Sequence, residues 1–388
     1  MPPDIRRRTH GLLLSLLFVL SPGCSSPPDD TAAVRIGVIA PLSGPLSESL
    51  GRPARQGALL AAERANHQGG LLIAGRPTRI VLQFEDSQGR PDPAVQAARK
   101  LINQTEVAAI VGPILSRTAI ATASVAEQQR VPLISPTATT AELTVGRHYV
   151  FRATFLDDQQ GRALARFARA DLDAQTAAVL YDIAGAHNRG VAEIFRQTFE
   201  QLGGRTVAFE AFVTGEQDYR SQLSRIGAAQ PDVLLLPNHP DEVPLQVSQA
   251  RQLGIEATFL GSDAWDGDLY PDQAEFEGSY FTDDWLLGTT GLTSAAADAF
   301  THAYRQAFDH PPRSVSGVVY DALGLVFRAI ENAGSVDSQL IRDQLASLTD
   351  YRGVSGKVSF QGTGDPLKAV FIFRIAGGKV AFAKEISP

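Results

Sequence analysis

Residues 107–142, VAAIVGPILSRTAIATASVAEQQRVPLISPTATTAE, decide the fold. Two short apolar runs, 107–111 and 131–134, are rich in aliphatic residues and lack polar alternation, and an amphipathic stretch lies between them at 118–129. Apolar runs of this kind are typical of strands that are buried on both faces of a sheet. A helix pattern between two such strands predicts a strand-helix-strand unit with parallel strands, and therefore an α/β fold.

The same alternation extends in both directions from this segment. Because eight or more strand-helix units are too many for one sheet, we predict two doubly wound parallel-sheet lobes with helices on both faces of each sheet. Near the end, Gly377-Gly378 between two apolar runs predicts an antiparallel hairpin. Further strand patterns lie at 34–40, 79–84, 177–181, 207–212, 233–236 and 258–260, helix patterns at 54–66, 94–103, 191–202, 242–253, 295–308 and 315–332, and the hairpin strands at 370–375 and 379–386.

Composition excludes several classes of protein. The 388 residues, 44% of them apolar, are enough for two ordinary domains and exclude a disordered or fibrous chain. The formal net charge of -7 argues against a nucleic-acid partner, because a phosphate backbone would be repelled. The single cysteine excludes an intrachain disulfide and a zinc site built from cysteines.

The first residues predict an export signal. Arg6, Arg7 and Arg8 precede the apolar run LLLSLLFVL at 12–20, which at about 1.5 Å per residue is too short to cross a bilayer as a helix. The following Ser21-Pro22-Gly23-Cys24 resembles a lipoprotein cleavage site, with residues 1–23 as signal peptide, Cys24 as the lipidated residue and 24–33 as a tether. Ser21 stands where such sites usually carry leucine, so an ordinary secretory signal is the alternative.

Hydroxyl side chains follow two neighbouring strands of the predicted first lobe. Ligands of open parallel sheets bind outside the carboxyl ends of the strands, so these positions are candidates for a site. We expect Ser116 to cap the helix after its strand, and Thr139 and Glu142 have the spacing of a capping box. Helix N-termini with hydroxyls favour a carboxylate, although both residues could serve only as caps.

The second predicted lobe offers other polar residues at its strand ends. These are Asp182, the pair Asn238 and His239, and Asp263 with Trp265 close behind it. A carboxylate at a strand end can bind an ammonium group, and an aromatic ring beside it can cover the rest of a small ligand. A plain turn role for Asp263 is the alternative.

Metal and catalytic motifs are weak or missing. A calcium loop counted from Asp266 has Asp268 in place but carries Tyr270 and Pro271 where a ligand and a glycine are needed, so we expect no metal. The sequence has no nucleophile elbow, no zinc-protease motif and no complete phosphate-binding loop. We therefore expect no cofactor and no catalysis, although scattered residues can still assemble a catalytic site in space.

Several segments, taken in order, give the chain a family resemblance. The chain resembles type I periplasmic binding proteins of the branched-chain amino acid family, the ligand-capturing subunits of ABC importers, and the resemblance extends from Val34 to Ile386. It is carried by IGVIAPLSGP (36–45), AAERANHQGGL (61–71), GRPTRIVLQFEDSQGRP (75–91), VGPILSRTA (111–119), VPLISPTATTAELT (131–144), FVTGEQDY (212–219), FLGSDAW (259–265) and VYDALGLVFRAI (319–330).

The resemblance implies an architecture and a place in the cell. It implies a Venus-flytrap fold with a three-stranded hinge near Thr154, Asp284 and Asp365. One lobe would comprise 34–153 and 285–365, and the other 154–284 and 366–388. The protein would work in the bacterial cell envelope, held to the membrane only by its lipid anchor, with an ABC transporter permease as its partner.

The resemblance also implies ligand contacts. Ser116 and Thr139 match the residues that bind the ligand carboxylate, while the Thr137 carbonyl and Asp263 match acceptors for its ammonium group. Ala138, between the two threonines, is a further expected ligand contact. Family members often have aromatic residues where this chain has Leu50, His187 and Asn238 or His239. The ligand is then an amino acid, of the branched-chain type or with a more polar or acidic side chain, and Trp265 would restore some aromatic surface.

Two other functional classes stay open at this point. A protein of the same fold can act as a ligand sensor or as an envelope lipoprotein that contacts another protein without serving a permease. An enzyme is the third class. The fold alone does not choose among them.

Overall fold

The computed structural model describes residues 33–265, 273–284 and 294–387. Helices and strands alternate through most of these ranges. The strands are β1 (Ala33–Ala40), β2 (Leu71–Ile73), β3 (Arg76–Asp86), β4 (Ala109–Val111), β5 (Leu133–Ser135), β6 (Val150–Arg152), β7 (Thr176–Asp182), β8 (Arg205–Phe212), β9 (Val233–Leu236), β10 (Thr258–Gly261), β11 (Tyr280–Asp283), β12 (Tyr351–Gly353), β13 (Gly356–Phe360), β14 (Pro366–Leu367), β15 (Val370–Ala376) and β16 (Lys379–Ile386). The helices are α1 (Arg52–His67), α2 (Pro91–Asn103), α3 (Ser116–Gln129), α4 (Asp157–Ala170), α5 (Ala186–Gln201), α6 (Arg220–Ala228), α7 (Val243–Gln252), α8 (Ala295–Phe308), α9 (Ser314–Ala333) and α10 (Ser338–Ser347).

The first lobe is built on a six-stranded sheet with the order β2-β3-β1-β4-β5-β6. From β3 to β6 every neighbouring pair is parallel, with Val38 of β1 opposite Phe84 of β3 and Val111 of β4. Alanine-rich faces of α1 and apolar residues of α9 cover one side of the sheet, and α2 and α3 cover the other. The small alanine side chains let these helices lie close to the strands.

The second lobe is built on a seven-stranded sheet with the order β16-β15-β11-β10-β9-β7-β8. Its strands β7 to β11 are parallel, whereas the C-terminal hairpin of β15 and β16 joins β11 in antiparallel orientation. Helices α4 and α5 pack on one face, and α6 and α7 on the other. The prediction of two α/β lobes with mostly parallel sheets is confirmed.

A buried ion pair lies where the chain passes between the two sheets. Lys368 Nζ lies 2.9 Å from Asp284 Oδ1 and donates to the carbonyl of Ala153, while the hydroxyl of Thr154 donates to Asp284 Oδ2. These residues come from all three passages of the chain, so one polar cluster ties the passages together. Both charged side chains are nearly inaccessible to water.

Strand pairing bears on the predicted lobe boundaries. Val150 to Arg152 belong to the first sheet and Tyr280 to Asp283 to the second, while Pro366 still pairs with Phe360 beside the first lobe. In the third passage the chain leaves β14 and enters β15 of the second sheet. The boundaries at 153/154, 284/285 and 365/366 stay a prediction.

Candidate functional site

A cavity of about 80 Å³ lies between the carboxyl ends of the two sheets. Eight of the ten predicted contact residues line it: Leu50, Ser116, Thr137 and Thr139 on the side of the first lobe, and His187, His239, Asp263 and Trp265 on the side of the second. Apolar residues complete the walls, among them Ile114, Leu115, Pro240, Ala264 and Val315. These positions lie together because the carboxyl ends of the strands of both sheets face the same cavity, where ligands of parallel sheets bind.

Ser116 begins helix α3 at the edge of this cavity. The N-cap residue is Leu115 and makes no side-chain cap, so the prediction that Ser116 caps the helix is wrong. The amide groups of Ser116 and Arg117 lie in the first turn, where a helix offers no internal acceptor, and the Ser116 hydroxyl has no hydrogen-bond partner in the described part of the chain. Two free amides, a hydroxyl and the helix dipole suit a carboxylate.

The loop after β5 is fixed by Arg152, a buried residue of β6 that the sequence analysis missed. Its guanidinium donates to the carbonyls of Ala138 and Thr140 at 2.8 and 2.7 Å and pairs with Asp365 at 2.6 Å. Ala138 is fully buried and lies outside the cavity lining, because its carbonyl faces Arg152 and its amide bonds to Ser135. The prediction of Ala138 as a ligand contact therefore receives no support from its position.

Thr139 contacts the opposite lobe instead of capping a helix. The predicted capping box is absent, since only a short 3-10 turn at Ala141–Leu143 follows and Thr140 precedes it without a side-chain bond. The Thr139 hydroxyl lies 2.8 Å from Nδ1 of His187 on α5. The neighbouring Thr137 donates its hydroxyl to the carbonyl of Ile114 at 2.7 Å.

His187 is the centre of a buried polar cluster. Its Nδ1 lies 2.8 Å from Asp157 Oδ1 and from the Thr139 hydroxyl, and its Nε2 lies 3.0 Å from the Ser262 hydroxyl and 3.6 Å from Asp263 Oδ1. Burial alone lowers the pKa of His187, but the carboxylates of Asp157 and Asp263 outweigh it and raise the pKa to about 9. His187 is therefore an imidazolium at neutral pH.

Asp263 is held by Gln160 of α4. The Gln160 amide accepts from the backbone N–H of Asp263 at 2.7 Å and donates to Oδ1 at 2.8 Å. Burial raises the pKa of Asp263 to about 6, while the charge of His187 lowers it and that of Asp284 raises it further. Since both Gln160 and His187 approach Oδ1, the other oxygen is available to an ammonium group.

His239 has a different environment from His187. Burial lowers its pKa to about 3, and the positive charges of His187 and Arg117 act in the same direction, so its imidazole is neutral. The centres of the two imidazole rings are 6.1 Å apart. In the described ranges no hydrogen bond involves the His239 ring.

The side chains of Asn238 and Trp265 form hydrogen bonds within the second lobe. The amide of Asn238 donates to Leu180 and Gln246 and accepts from the backbone of Asp182, so this fully buried residue is part of the lobe core and lies outside the cavity lining. Its prediction as a ligand contact is thus corrected. Trp265 donates from Nε1 to the carbonyl of Leu236, and its ring forms part of the cavity wall.

Asp283, Asp284, Arg313 and Ser314 also line the cavity, and the sequence analysis missed them. Ser314 donates to Asp283 at 2.6 Å across the second passage of the chain. Asp283 ends β11 and Asp284 follows it, and this strand of four residues carries too little pattern to be recognised. Recognising that strand would have placed both acids at a carboxyl end.

The described residues also bear on the predictions about membrane and metal. Within residues 33–265, 273–284 and 294–387, no helix combines the length and hydrophobicity needed to cross a membrane, and no group of three or more His, Cys, Asp or Glu side chains is arranged to hold a metal ion. Asp266, Asp268, Tyr270 and Pro271 lie outside these ranges. Cys24 and the predicted signal and tether also lie outside them.

Comparison with known proteins was informative over nearly the whole chain. A family model described as "Periplasmic binding protein" matches residues 33–379. The Leu/Ile/Val-binding protein BraC3 of Rhizobium johnstonii is 29% identical, over 91% of this chain and 94% of the relative. The solved structure of LivJ from Streptococcus pneumoniae, a substrate-binding protein of a branched-chain amino acid transporter in complex with isoleucine, is 31% identical with a TM-score of 0.84, covering 92% of this chain and all of that one.

A third match agrees with these two. The leucine-binding protein LivK of Thermotoga maritima is 29% identical with a TM-score of 0.83, and the alignment covers 92% of this chain and 99% of that one. The solved structure of a solute-binding protein from Rhodopseudomonas palustris in complex with benzoate has a TM-score of 0.81 at 20% identity. The benzoate complex supports the fold alone.

Proposed function

The chain belongs to the periplasmic binding protein family, and on that premise we propose that it captures a free amino acid between its two lobes for an ABC importer. Relatives whose names state amino-acid binding match it over most of their length. On this proposal the ligand is a small zwitterion and the protein carries out no chemical step.

The complementary charges of the two cavity walls carry the proposal. One wall has the N-terminus of α3 with Ser116, which suits a carboxylate. The other has Asp263, whose oxygen Oδ2 suits an ammonium group. An amino acid presents both groups on one carbon, so a single small molecule can bind both walls.

Binding to both lobes also supplies a mechanism for closure. A ligand that contacts Ser116 and Asp263 together makes more contacts when the lobes are close, and therefore favours the closed state. The bond between Thr139 and His187 adds a direct contact between the lobes in the same place. A closed protein is then the form that the permease would receive.

The test is a binding screen with matched variants. We expect one or more of the twenty amino acids to raise the melting temperature of the purified protein and to release or absorb heat on titration. Ser116→Ala and Asp263→Asn should weaken that binding at least tenfold, because each removes a partner of a charged group. Asp298→Asn, an exposed change on α8, is the control. Absence of any stabilisation by all twenty amino acids would reject the proposal.

The place in the cell rests on the first residues of the sequence. The charged and apolar stretches before Cys24 support a lipid-anchored protein of the cell envelope, with residues 1–23 removed and the membrane contacted through the anchor alone. Mass spectrometry of the N-terminal peptide from the native host tests this: a diacylated Cys24 is expected, and an unmodified cysteine would indicate an ordinary secretory signal.

A further inference from the structure

Among the residues that the structure describes, one polar ring of the cavity lining, the imidazole of His239, has no hydrogen-bond partner. Thr137 is bonded to Ile114, both nitrogens of His187 face acceptors, and Asp263 is held by Gln160. His239 lines the same cavity, yet in the described part of the chain neither of its ring nitrogens has a hydrogen bond. Its backbone carbonyl alone is engaged, by the amides that begin α7.

An unpartnered imidazole in a partly buried wall is unfavourable unless something else bonds to it. The neutral ring has one N–H donor and one nitrogen acceptor, and burying either without a partner costs free energy. The walls around it are largely apolar, with Leu50, Leu115, Pro240 and Val315. A bound molecule with one donor-acceptor group and otherwise apolar surface would satisfy both features.

The charge state of His239 favours an uncharged ligand group as its hydrogen-bond partner. Burial lowers the pKa of His239, and the positive charges of His187 and Arg117 both lower it further. The imidazole is therefore neutral, and a neutral ring offers hydrogen bonds without supplying a counter-charge for a carboxylate.

We propose that His239 hydrogen-bonds the side chain of the bound amino acid, so that the cleft prefers amino acids with a small uncharged hydroxyl or amide side chain over their aliphatic isosteres. This inference rests on the proposed function, in which Ser116 and Asp263 take the carboxylate and ammonium groups. The side chain is then the part left to meet the imidazole. Threonine and asparagine have side chains of this kind.

Isosteric ligand pairs provide the test, because valine differs from threonine, and leucine from asparagine, chiefly in hydrogen-bonding groups. We expect the wild-type protein to bind threonine at least tenfold more tightly than valine, and asparagine more tightly than leucine. His239→Leu removes both hydrogen-bonding atoms and should bring these ratios to about one or below. His239→Gln keeps a donor and an acceptor and should retain part of the preference.

The control and the overturning results are distinct. His302→Leu changes an exposed histidine of α8 and should leave both ratios as in the wild type. Valine or leucine preferred by the wild type, or equal ratios in the wild type and His239→Leu, would overturn the role of His239 while leaving amino-acid capture intact. Tighter binding of aspartate than asparagine would overturn the uncharged class. No binding of any amino acid would reject the proposed function, and this inference with it.

Discussion

Asp263 makes ligand binding sensitive to pH at the scale of a single residue. Burial raises its pKa to about 6, and only its ionised form attracts an ammonium group. Protons therefore compete with the ligand, and we expect the dissociation constant to rise about tenfold between pH 7 and pH 5. Titration calorimetry of the best amino acid at several pH values measures this. Asp263→Asn should bind weakly with no such slope, and an equally steep slope in that variant would assign the proton to another group.

His187 makes the stability of the folded protein depend on pH in the opposite direction: its contribution is lost as the pH rises. Its pKa is raised from 6.5 to about 9 because Asp157 and Asp263 outweigh the effect of burial. A raised pKa stabilises the folded state fully below pH 6.5, and this contribution disappears as the pH rises through 9. The upper limit of the contribution is about 3 kcal/mol.

His187→Gln tests that contribution. We expect urea unfolding of the protein without ligand to show a large loss of stability at pH 6 and a smaller one at pH 9.5, since the wild-type imidazole is then mostly neutral. His148→Gln changes an exposed histidine and should show no such trend. A loss that is the same at both pH values would mean that the charge of His187 does not stabilise the fold.

Sequence position predicted part of the site at this scale. Ser116, Asp263 and His239 could be predicted because each follows a strand at the carboxyl end of a sheet. The partners that set their charges could not. Asp157 and Gln160 lie on α4, whose sequence DDQQGRALARFARA has too many polar residues for its position against the sheet to be recognised.

At the scale of elements, Arg152 of β6 holds the loop that carries Thr137 and Thr139. We expect Arg152→Met to lower the free energy of unfolding by about 3 kcal/mol, because the carbonyls it satisfies stay buried and Asp365 loses its partner. Ligand affinity should fall as well, since the loop loses its fixed position. Urea unfolding and calorimetry measure the two effects.

The matched control is Arg162 of α4. Its ion pair with Asp158 is about half exposed, so Arg162→Met should change stability by roughly 0.5 kcal/mol or less and leave affinity unchanged. Equal effects of the two substitutions would show that the Arg152 bonds do not hold the loop.

The elements themselves were predictable where local pattern is strong. β9 and α8 were predicted with their observed ends or within one residue, because an unbroken aliphatic run and a clear helical period mark them. β6 and β11 were missed, since three or four residues carry no period. Helix starts at 116 and 186 were predicted too late, because the first turns of α3 and α5 contain polar residues that bury at the cleft.

At the scale of the whole molecule, the Lys368–Asp284 pair joins the passages between the lobes. We expect Lys368→Met to destabilise the protein by about 3 to 5 kcal/mol, because it leaves the Asp284 carboxylate buried without a counter-charge. The double change Lys368→Met with Asp284→Leu should recover much of that loss, since the acid that Lys368 paired with is removed as well. Chemical unfolding of the two variants measures the difference.

Lys384 supplies the comparison. Its pair with Asp171 is partly exposed, and Lys384→Met should cost about 1 kcal/mol or less. A double variant as unstable as Lys368→Met would show that the loss comes from the packing of the lysine stem and not from the unpaired acid.

Neither lobe is made from a continuous piece of chain. The core of the first sheet needs α9 (Ser314–Ala333), and the second sheet needs β15 and β16, whose last residue is Ile386. A ribosome that has made two thirds of the polypeptide has therefore produced a first sheet that lacks its α9 cover and a second sheet that lacks β11, β15 and β16. Apolar surface of both lobes is still uncovered at that stage. Folding of both lobes to completion has to wait for the C-terminal residues, and until then the uncovered apolar surface makes the nascent chain prone to aggregation.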